Sequence, residues 1–294
     1  MTNSATRALE VLEPGPLATF QDLGRPGLAG IGVGASGAAD RAALRLANRL
    51  VGNDEGAAAV EVTLGGFAAR ARGDLTVVVT GAPCPVTVGG RGGAAGSVLR
   101  VRAGECLRLG TPPVGLRSYV AVRGGFAVER VLGSASTDVL SGLGPPPLEP
   151  GTVLPVGVPH RPLPAVDFAP VAAPPADGLV LTVVPGPRQD WFHDDALPTL
   201  LRETYAVSPR SNRVGLRLDG PPLTRARGDE LPSEGMVPGA VQVPPSGRPT
   251  LFLADHPVTG GYPVIAVVVA ADVDRAAQAR PGLTLRFAAA RRPH

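Results

Sequence analysis

Lysine is absent from this sequence, so all 28 of its Lys and Arg residues are arginines. A chain without lysine has no side-chain amine for Schiff-base catalysis and no lysine for a phosphate-binding P-loop. It also offers no lysine to which biotin could be attached. Any biotin carrier or lysine-dependent phosphate site must therefore belong to another chain.

Features of extracellular, membrane and nucleic-acid-binding proteins are also scarce. The two cysteines, Cys84 and Cys106, lack metal-ligand spacing and lie in apolar stretches, which predicts buried free thiols and a cytoplasmic location. The longest apolar run, residues 265–271, is too short to span a bilayer, and residues 1–12 do not have the pattern of a signal peptide. The net charge is only +3 and the arginines are scattered, so we expect neither membrane nor nucleic-acid binding.

The residues that are abundant predict a mostly β protein. Aromatic residues make up only 4% of the chain, whereas 39 glycines and 33 prolines separate short apolar runs. This pattern is typical of short strands joined by tight turns. It predicts strands at residues 75–80, 97–101, 105–109, 118–122, 179–184, 250–253, 264–269 and 284–287. It predicts helices at residues 38–51, with Ser36 as N-cap, and at 190–202 and 272–279.

Five short motifs recur in the same order in the two halves, which indicates an internal duplication. The pairs are residues 14–22 and 185–190, 40–46 and 212–218, 59–62 and 240–243, 80–83 and 254–257, and 104–109 and 282–287. A proline-rich stretch, residues 144–176, separates the halves and is typical of a stiff connector. We therefore predict two domains, residues 1–176 and 177–294.

Three segments carry side chains suited to chemistry. The first holds Gln21, Asp22 and Arg25, followed by Ser36, Gly37 and Asp40; it favours either an anion site at a helix start or a turn stabilised by a local Asp22–Arg25 pair.

The second segment contains Arg210, Ser211, Asn212 and Arg213. Two arginines beside serine and asparagine could bind a carboxylate, carbamate or phosphate. The alternative is an exposed loop with solvated arginines.

The third segment follows a predicted strand and contains Asp255, His256 and then Thr259, Gly260, Gly261 and Tyr262. Asp255 is a candidate general base or a group that orients a substrate amide, whereas a histidine before proline is more often a loop residue. Glu234 and Gln242 supply further polar groups near the presumed cleft. No metal site is expected, because zinc-type spacings are missing.

These motifs, in order along nearly the whole chain, resemble a known family. The motifs are Gln-Asp-Leu-Gly-Arg-Pro-Gly at 21–27, Ser-Gly-Ala-Ala-Asp-Arg at 36–41, Leu-Ala-Asn-Arg-Leu-Val-Gly-Asn at 46–53, Gly-Ser-Ala-Ser-Thr-Asp at 133–138, Ser-Asn-Arg with its following Gly at 211–215, Ser-Glu at 233–234, Gln-Val-Pro-Pro-Ser-Gly at 242–247 and Asp-x-x-x-Thr-Gly-Gly-Tyr-Pro at 255–263. The chain resembles the biotin-dependent carboxyltransferase-like family, also called the allophanate hydrolase subunit 2 family. It departs from the family pattern at residues 142–147 and at 256–258.

The resemblance implies a fold of two tandem cyclophilin-like β-barrel domains with a few short helices. It implies a subunit of an ATP-dependent 5-oxoprolinase that converts 5-oxo-L-proline to L-glutamate with A- and B-type partner subunits, where ATP is used by the complex. One alternative is a biotin-dependent carboxyltransferase acting on a urea-like amide, with biotin carried on another chain. The other is a non-catalytic antagonist of a kinase-inhibitor protein.

The predicted site combines the three segments and binds a small anionic amide. The residues predicted to be catalytic are Asp255, Arg213 and Asn212. Those predicted to bind substrate are Gln21, Arg25, Ser36, Gly37, Asp40, Ser211, Glu234, Gln242, Thr259, Gly260, Gly261 and Tyr262.

Overall fold

The structure is a computed structural model that describes residues 7–290. The strands of the first half are β1 (Ala8–Pro14), β2 (Leu17–Gln21), β3 (Ala59–Thr63), β4 (Phe67–Arg72), β5 (Leu75–Gly81), β6 (Val86–Val88), β7 (Arg91–Gly93), β8 (Val98–Val101), β9 (Cys106–Leu109), β10 (Arg117–Val122) and β11 (Val153–Pro155). Those of the second half are β12 (Leu179–Pro185), β13 (Tyr205–Val207), β14 (Gly215–Asp219), β15 (Glu234–Gly235), β16 (Ala240–Gln242), β17 (Thr250–Phe252), β18 (Thr259–Gly260), β19 (Val264–Val268) and β20 (Thr284–Ala289). The mostly β prediction is confirmed, and each of the eight predicted strands overlaps an observed one.

Three α-helices accompany the strands: α1 (Arg41–Leu50), α2 (Ala196–Arg202) and α3 (Ala270–Ala276). Two short 3₁₀ helices, Ala29–Ile31 and Gln189–Trp191, complete the elements. The helix predicted at residues 190–202 is therefore wrong in its first half, because the 3₁₀ turn and an extended Phe192 interrupt it. No helix within residues 7–290 has the length and hydrophobicity needed to cross a membrane.

The chain divides into two compact units. Unit 1 contains residues 1–25, 36–138 and 142–174, and unit 2 contains residues 26–35, 139–141 and 175–294. Two short segments of the first half thus group with the second unit, which no feature of the sequence indicated.

Unit 1 is built from two antiparallel sheets around an apolar core. The strand orders are β11-β1-β4-β9-β6-β7 and β2-β3-β10-β5-β8. Both sheets contribute to one buried cluster that includes Leu9, Val60, Val77 and Leu107. Because alternate residues of each strand face inward, small apolar side chains fill this core with few aromatic rings.

Helix α1 covers the outer face of the second sheet of unit 1. Its residues Leu44 and Ala47 pack against Val78 and Tyr119. The prediction that Ser36 caps this helix is wrong, because Asp40 is the N-cap and accepts a hydrogen bond from Ala43 N at 2.9 Å.

Unit 2 contains a closed barrel with the strand order β12-β19-β16-β17-β14-β13-β20. Strands β12 and β20 close it through a parallel pairing in which Leu179 lies opposite Leu285. The barrel interior includes Leu181, Val241 and Leu251, all fully buried.

The two halves have similar local structure at three of the five repeated motifs. Strands β3 and β16 carry the Ala-Val-x-Val motifs, and β9 and β20 each follow a glycine with positive φ, Gly104 and Gly282. The 80–83 and 254–257 motifs both lie at or just after a strand end. The other two correspondences are wrong: residues 44–46 are helical whereas 216–218 form β14, and buried Gln21 ends a strand whereas Gln189 begins a 3₁₀ turn.

Candidate functional site

Three predicted binding side chains of unit 1 contact two consecutive backbone carbonyl groups. Gln21 Nε2 donates to Thr137 O at 2.9 Å, and Arg25 Nη2 donates to Ser136 O. Ser36 Oγ also lies 3.4 Å from Thr137 O. All three polar side chains therefore contact the same short segment, residues 136–137.

Asp22 anchors the loop that carries Arg25. Its carboxylate accepts hydrogen bonds from Ser134 Oγ and Ser136 Oγ, both at 2.6 Å, and from Ala135 N at 2.8 Å. The predicted local Asp22–Arg25 pair is wrong, since Asp22 pairs instead with Arg130 at 3.3 Å. Asp22 is 2% exposed, so this network fixes the loop in one conformation.

Two polar atoms of this cluster have no hydrogen-bond partner within residues 7–290. Gln21 Oε1 and Arg25 Nη1 are both buried and, in that part of the chain, unsatisfied, although their side chains are held by the other atoms of the same groups. A buried unsatisfied polar atom costs about 1–3 kcal/mol. An unsatisfied acceptor and an unsatisfied cationic donor whose side chains contact the same segment are suited to a ligand with a donor and an anionic group.

The remaining predicted residues of unit 1 have structural contacts. Gly37 has a φ of 102°, and a Cβ there would lie 2.9 Å from Leu23 C. Asp40 caps α1, and its own N–H donates to Tyr119 Oη at 2.8 Å. The Tyr119 hydroxyl in turn donates to Glu61 Oε2 at 2.7 Å, and burial, together with the charges of Glu61 and Asp40, raises the pKa of Tyr119 well above its usual value.

In unit 2, Arg213 and Asp255 form a buried bidentate ion pair. Arg213 Nε donates to Asp255 Oδ2 at 2.8 Å and Nη2 donates to Oδ1 at 3.0 Å. The backbone N–H of Val139 also donates to Oδ2 at 3.0 Å. Arg213 is 1% exposed, so the alternative interpretation of an exposed loop with solvated arginines is wrong for this residue. Both carboxylate oxygens of Asp255 are therefore engaged in fixing the orientation of the guanidinium.

The side chains of Ser211 and Asn212 accept hydrogen bonds from nearby backbone N–H groups. Asn212 Oδ1 accepts from Val214 N at 2.9 Å, and Ser211 Oγ accepts from Arg217 N at 3.0 Å. Both contacts stabilise the turn that leads Arg213 into the interior, in the manner of asparagine and serine side chains that bond to nearby backbone. These hydrogen bonds of Ser211 and Asn212 are thus with nearby backbone and not with the Arg213–Asp255 pair.

A small two-stranded ladder brings together the other predicted residues. Strand β15 pairs with β18, with Glu234 opposite Gly260. Gln242 Nε2 donates to Tyr262 O at 3.1 Å, and a Cβ on Gly260 would lie 2.6 Å from that same Nε2. Thr259 and Tyr262 are exposed beside this ladder.

Sequence reasoning missed Arg188, which reaches Glu234 from the loop after β12. Arg188 Nε donates to Glu234 Oε1 at 2.8 Å. This hydrogen bond lowers the pKa of Glu234 and raises the pKa of Arg188. Arg188 follows the repeated Pro-Gly-Pro motif, but no sequence signal connected it to residue 234.

His256 has a local role next to the buried pair. It is 8% exposed, its Nδ1 lies 2.8 Å from Pro257 O, and its ring tilts against Phe252. Both of these contacts are with residues close to His256 in the sequence.

The comparisons with known proteins agree with this fold. Residues 31–289 match the family described as carboxyltransferase domain, subdomain A and B. The chain is 38% identical over 289 residues to the C subunit of 5-oxoprolinase from Escherichia coli (strain K12), a match that covers 95% of this chain and 90% of that protein.

Two solved structures share the architecture over nearly all of this chain. TTHA0988 is 36% identical with a TM-score of 0.88, and the match covers 98% of this chain and 56% of that one. The Kluyveromyces lactis urea carboxylase is 32% identical with a TM-score of 0.88, and the match covers 97% of this chain and 27% of that one. The chain therefore spans about half or less of these two solved chains. On this evidence, the chain belongs to the carboxyltransferase domain family, subdomains A and B.

Proposed function

We propose that this chain is the C-type subunit of an ATP-dependent 5-oxoprolinase, which converts 5-oxo-L-proline to L-glutamate with A- and B-type partner subunits. The similarity to the Escherichia coli 5-oxoprolinase component over 90% of that protein supports this proposal.

The unsatisfied pair of atoms in unit 1 carries the proposal. 5-Oxoproline has a ring N–H that can donate and a carboxylate that can accept. Gln21 Oε1 is a buried acceptor and Arg25 Nη1 a buried cationic donor, and each lacks a partner among the described residues. A charge-assisted bond from Arg25 to the carboxylate and a bond from the ring N–H to Gln21 would satisfy both atoms at once. Ser36 and Gly37 would shape the same site, and Asp40 would position the helix beside it.

In unit 2, we propose that Arg213 supplies a preorganised positive charge that stabilises negative charge developing in the reaction of the complex. Asp255 holds the guanidinium in one orientation through two hydrogen bonds, and a preorganised cation in a dry environment stabilises charge more strongly than one in water. Asn212 and Ser211 would act by fixing the turn before Arg213. Glu234, Gln242, Thr259, Gly260, Gly261 and Tyr262 would form the wall beside it.

ATP, consumed by the complex, would supply activation of the lactam carbonyl through phosphorylation of the amide oxygen. The sequence lacks a P-loop lysine, so any cationic phosphate contact made by this chain falls mainly to its arginines. The residues of this chain would bind and orient the substrate and stabilise charge.

The test is co-expression with A- and B-type partners followed by an assay of ADP release that depends on 5-oxoproline. We expect release by the full complex and at least a tenfold loss of kcat/KM in Arg25→Gln and in Gln21→Leu, because each loses one substrate contact. Arg49→Ala, which alters an exposed pair with Glu55, is the matched control and should match wild type. Absence of ADP release from the complete, folded complex would refute the proposal.

A second candidate is carboxyl transfer between carboxybiotin and a urea-like amide. The similarity to the Kluyveromyces lactis urea carboxylase favours it. Biotin would have to arrive on another chain, since this one has no lysine. Urea-dependent consumption of a carboxybiotin carrier, together with inactivity toward 5-oxoproline, would support this candidate over the first.

A further inference from the structure

A cleft of about 500 Å³ in unit 2 is lined by three arginines, Arg210, Arg217 and Arg248, and by one acid, Asp219. Arg217 and Asp219 are alternate residues of β14, and Arg217 lies opposite Thr250 of β17. Side chains two residues apart on a strand point to the same face. The side chains of Arg217 and Asp219 therefore lie on the same outer face of the barrel.

Two of the three guanidinium groups have no counter-ion in the part of the chain that the structure describes. Arg248 pairs with Asp219 at 3.0 Å, and both side chains are largely exposed. Among residues 7–290, no carboxylate pairs with Arg210 or Arg217. The cleft lining thus has a net positive charge of two, and the exposed Arg248–Asp219 pair is weak enough to exchange for a stronger anion.

A rigid turn forms one wall of the cleft. Gly247 N donates to Pro244 O at 2.9 Å, and Gly247 adopts a φ of 75°. The turn contains two consecutive prolines, which limit backbone freedom, so little ordering is needed when a ligand binds. A second cleft, lined by Arg225 and Arg227, shares Ser246 of this turn, which extends the basic surface.

We propose that the Arg210–Arg217–Arg248 cleft binds the phosphate groups of a small phosphate-bearing ligand. Guanidinium forks match phosphate oxygens in geometry and charge, and the cleft volume lies within the usual range of small-molecule sites. The proposal does not rest on the 5-oxoprolinase assignment, because none of these arginines belongs to the Gln21–Arg25 cluster or to the Arg213–Asp255 pair.

The test is calorimetric titration of the full chain with inorganic pyrophosphate, with ADP and with sulfate at constant ionic strength. We expect pyrophosphate or ADP to bind at least tenfold more tightly than sulfate. The Arg210→Ala/Arg217→Ala variant should lose at least tenfold in affinity while keeping its thermal midpoint, since both side chains are exposed. A tighter Kd for ADP than for pyrophosphate would identify the ligand as a nucleotide, and equal Kd values would identify a free phosphate compound.

The matched control is Arg100→Ala/Arg286→Ala, which removes two exposed strand arginines outside the cleft. Its affinity should equal that of wild type. An equal loss in this control and in the cleft variant would assign binding to diffuse charge and overturn the proposal. Failure of both pyrophosphate and ADP to bind more tightly than sulfate would overturn it as well.

Discussion

Because Arg213 is buried in an ion pair with Asp255, its removal should affect the stability of the protein. Its side chain and that of Asp255 are 1% and 0% exposed, and removal of one partner from a buried ion pair leaves an uncompensated charge that costs about 3–5 kcal/mol. We expect Arg213→Ala to lower the free energy of unfolding by about this amount, measured by urea denaturation.

Two further variants separate charge burial from general disruption. Arg248→Ala, which removes an exposed ion pair, should change stability by less than about 1 kcal/mol. Replacing both buried partners, in Arg213→Met/Asp255→Leu, should restore part of the loss because no lone charge remains. If the Arg213→Ala variant were as stable as the Arg248→Ala variant, the buried charge would not be the cause of the expected loss.

The two adjacent glycines of the β18 turn differ in the space around them. A Cβ on Gly260 would lie 2.6 Å from Gln242 Nε2 and 3.1 Å from Met236 Sδ, whereas one on Gly261 would meet only Leu231 O at 3.6 Å. Neither glycine has a positive φ, so the difference is one of packing. Gly260→Ala should break the bond from Gln242 to Tyr262 O and cost about 1–3 kcal/mol, and Gly261→Ala should be nearly neutral. Thermal unfolding of the two variants checks this, and equal midpoints would contradict it.

At the scale of elements, Asp272 links α3 to the barrel. It accepts hydrogen bonds from Thr182 N of β12 and from Arg275, both at 2.7 Å. Burial by itself raises the pKa of Asp272, but these hydrogen bonds outweigh it and hold the pKa below its usual value of 3.8. A carboxyl whose pKa is lowered by folding stabilises the protein above the unfolded pKa, and this stabilisation is lost as the pH falls through the folded pKa.

Asp272→Asn should therefore lower stability at pH 7, by about 1–3 kcal/mol for a hydrogen bond to a charged group. The difference from wild type should shrink as the pH falls below about 4, first as the unfolded-state carboxyl and then, at lower pH, as the native carboxyl becomes protonated. Urea denaturation at a series of pH values measures this. A stability difference that stays constant down to a pH of about 2 would show that the charge of Asp272 plays no part.

Local sequence patterns predicted the strands better than the helix boundaries. Strand β19 is a continuous apolar run and β5 is rich in valine, both next to turn residues, and this signal is local. The N-cap of α1 was predicted too early in the chain, because both Ser36 and Asp40 are cap-type residues and only the backbone decides between them: Ser36 has a φ of 52°. The contacts of Asp255 with Val139 and of Arg25 with Ser136 join residues far apart in sequence, so no local pattern could give them.

At the scale of the whole molecule, unit 2 is assembled from three separate stretches of the chain, and this should affect its stability. Residues 175–294 contain all seven barrel strands but lack residues 26–35 and 139–141, which group with the same unit. The chain's single tryptophan, Trp191, is 6% exposed within the unit 2 core, so its fluorescence reports the unfolding of that unit.

We expect the fragment 175–294 to unfold at a lower urea concentration than the full chain when Trp191 fluorescence is followed. The fragment loses the Val139 N–H that donates to Asp255, and a buried acceptor that loses a donor costs about 1–3 kcal/mol. The same fragment carrying Asp255→Asn and Arg213→Met should be less affected by the missing segment. Identical midpoints for fragment and full chain would mean that the two segments contribute no stability.

The donor in the hydrogen bond to Asp255 is the main-chain N–H of Val139. Evolution should therefore constrain the length of the loop around residue 139 more than the side chain at that position. Every amino acid except proline supplies a backbone N–H, so the identity of residue 139 is free to drift in related proteins. The length of the loop is not free, because one inserted or deleted residue would move the donor away from the carboxylate. Within the family, residue 139 should therefore tolerate substitution readily while its neighbourhood resists insertions and deletions.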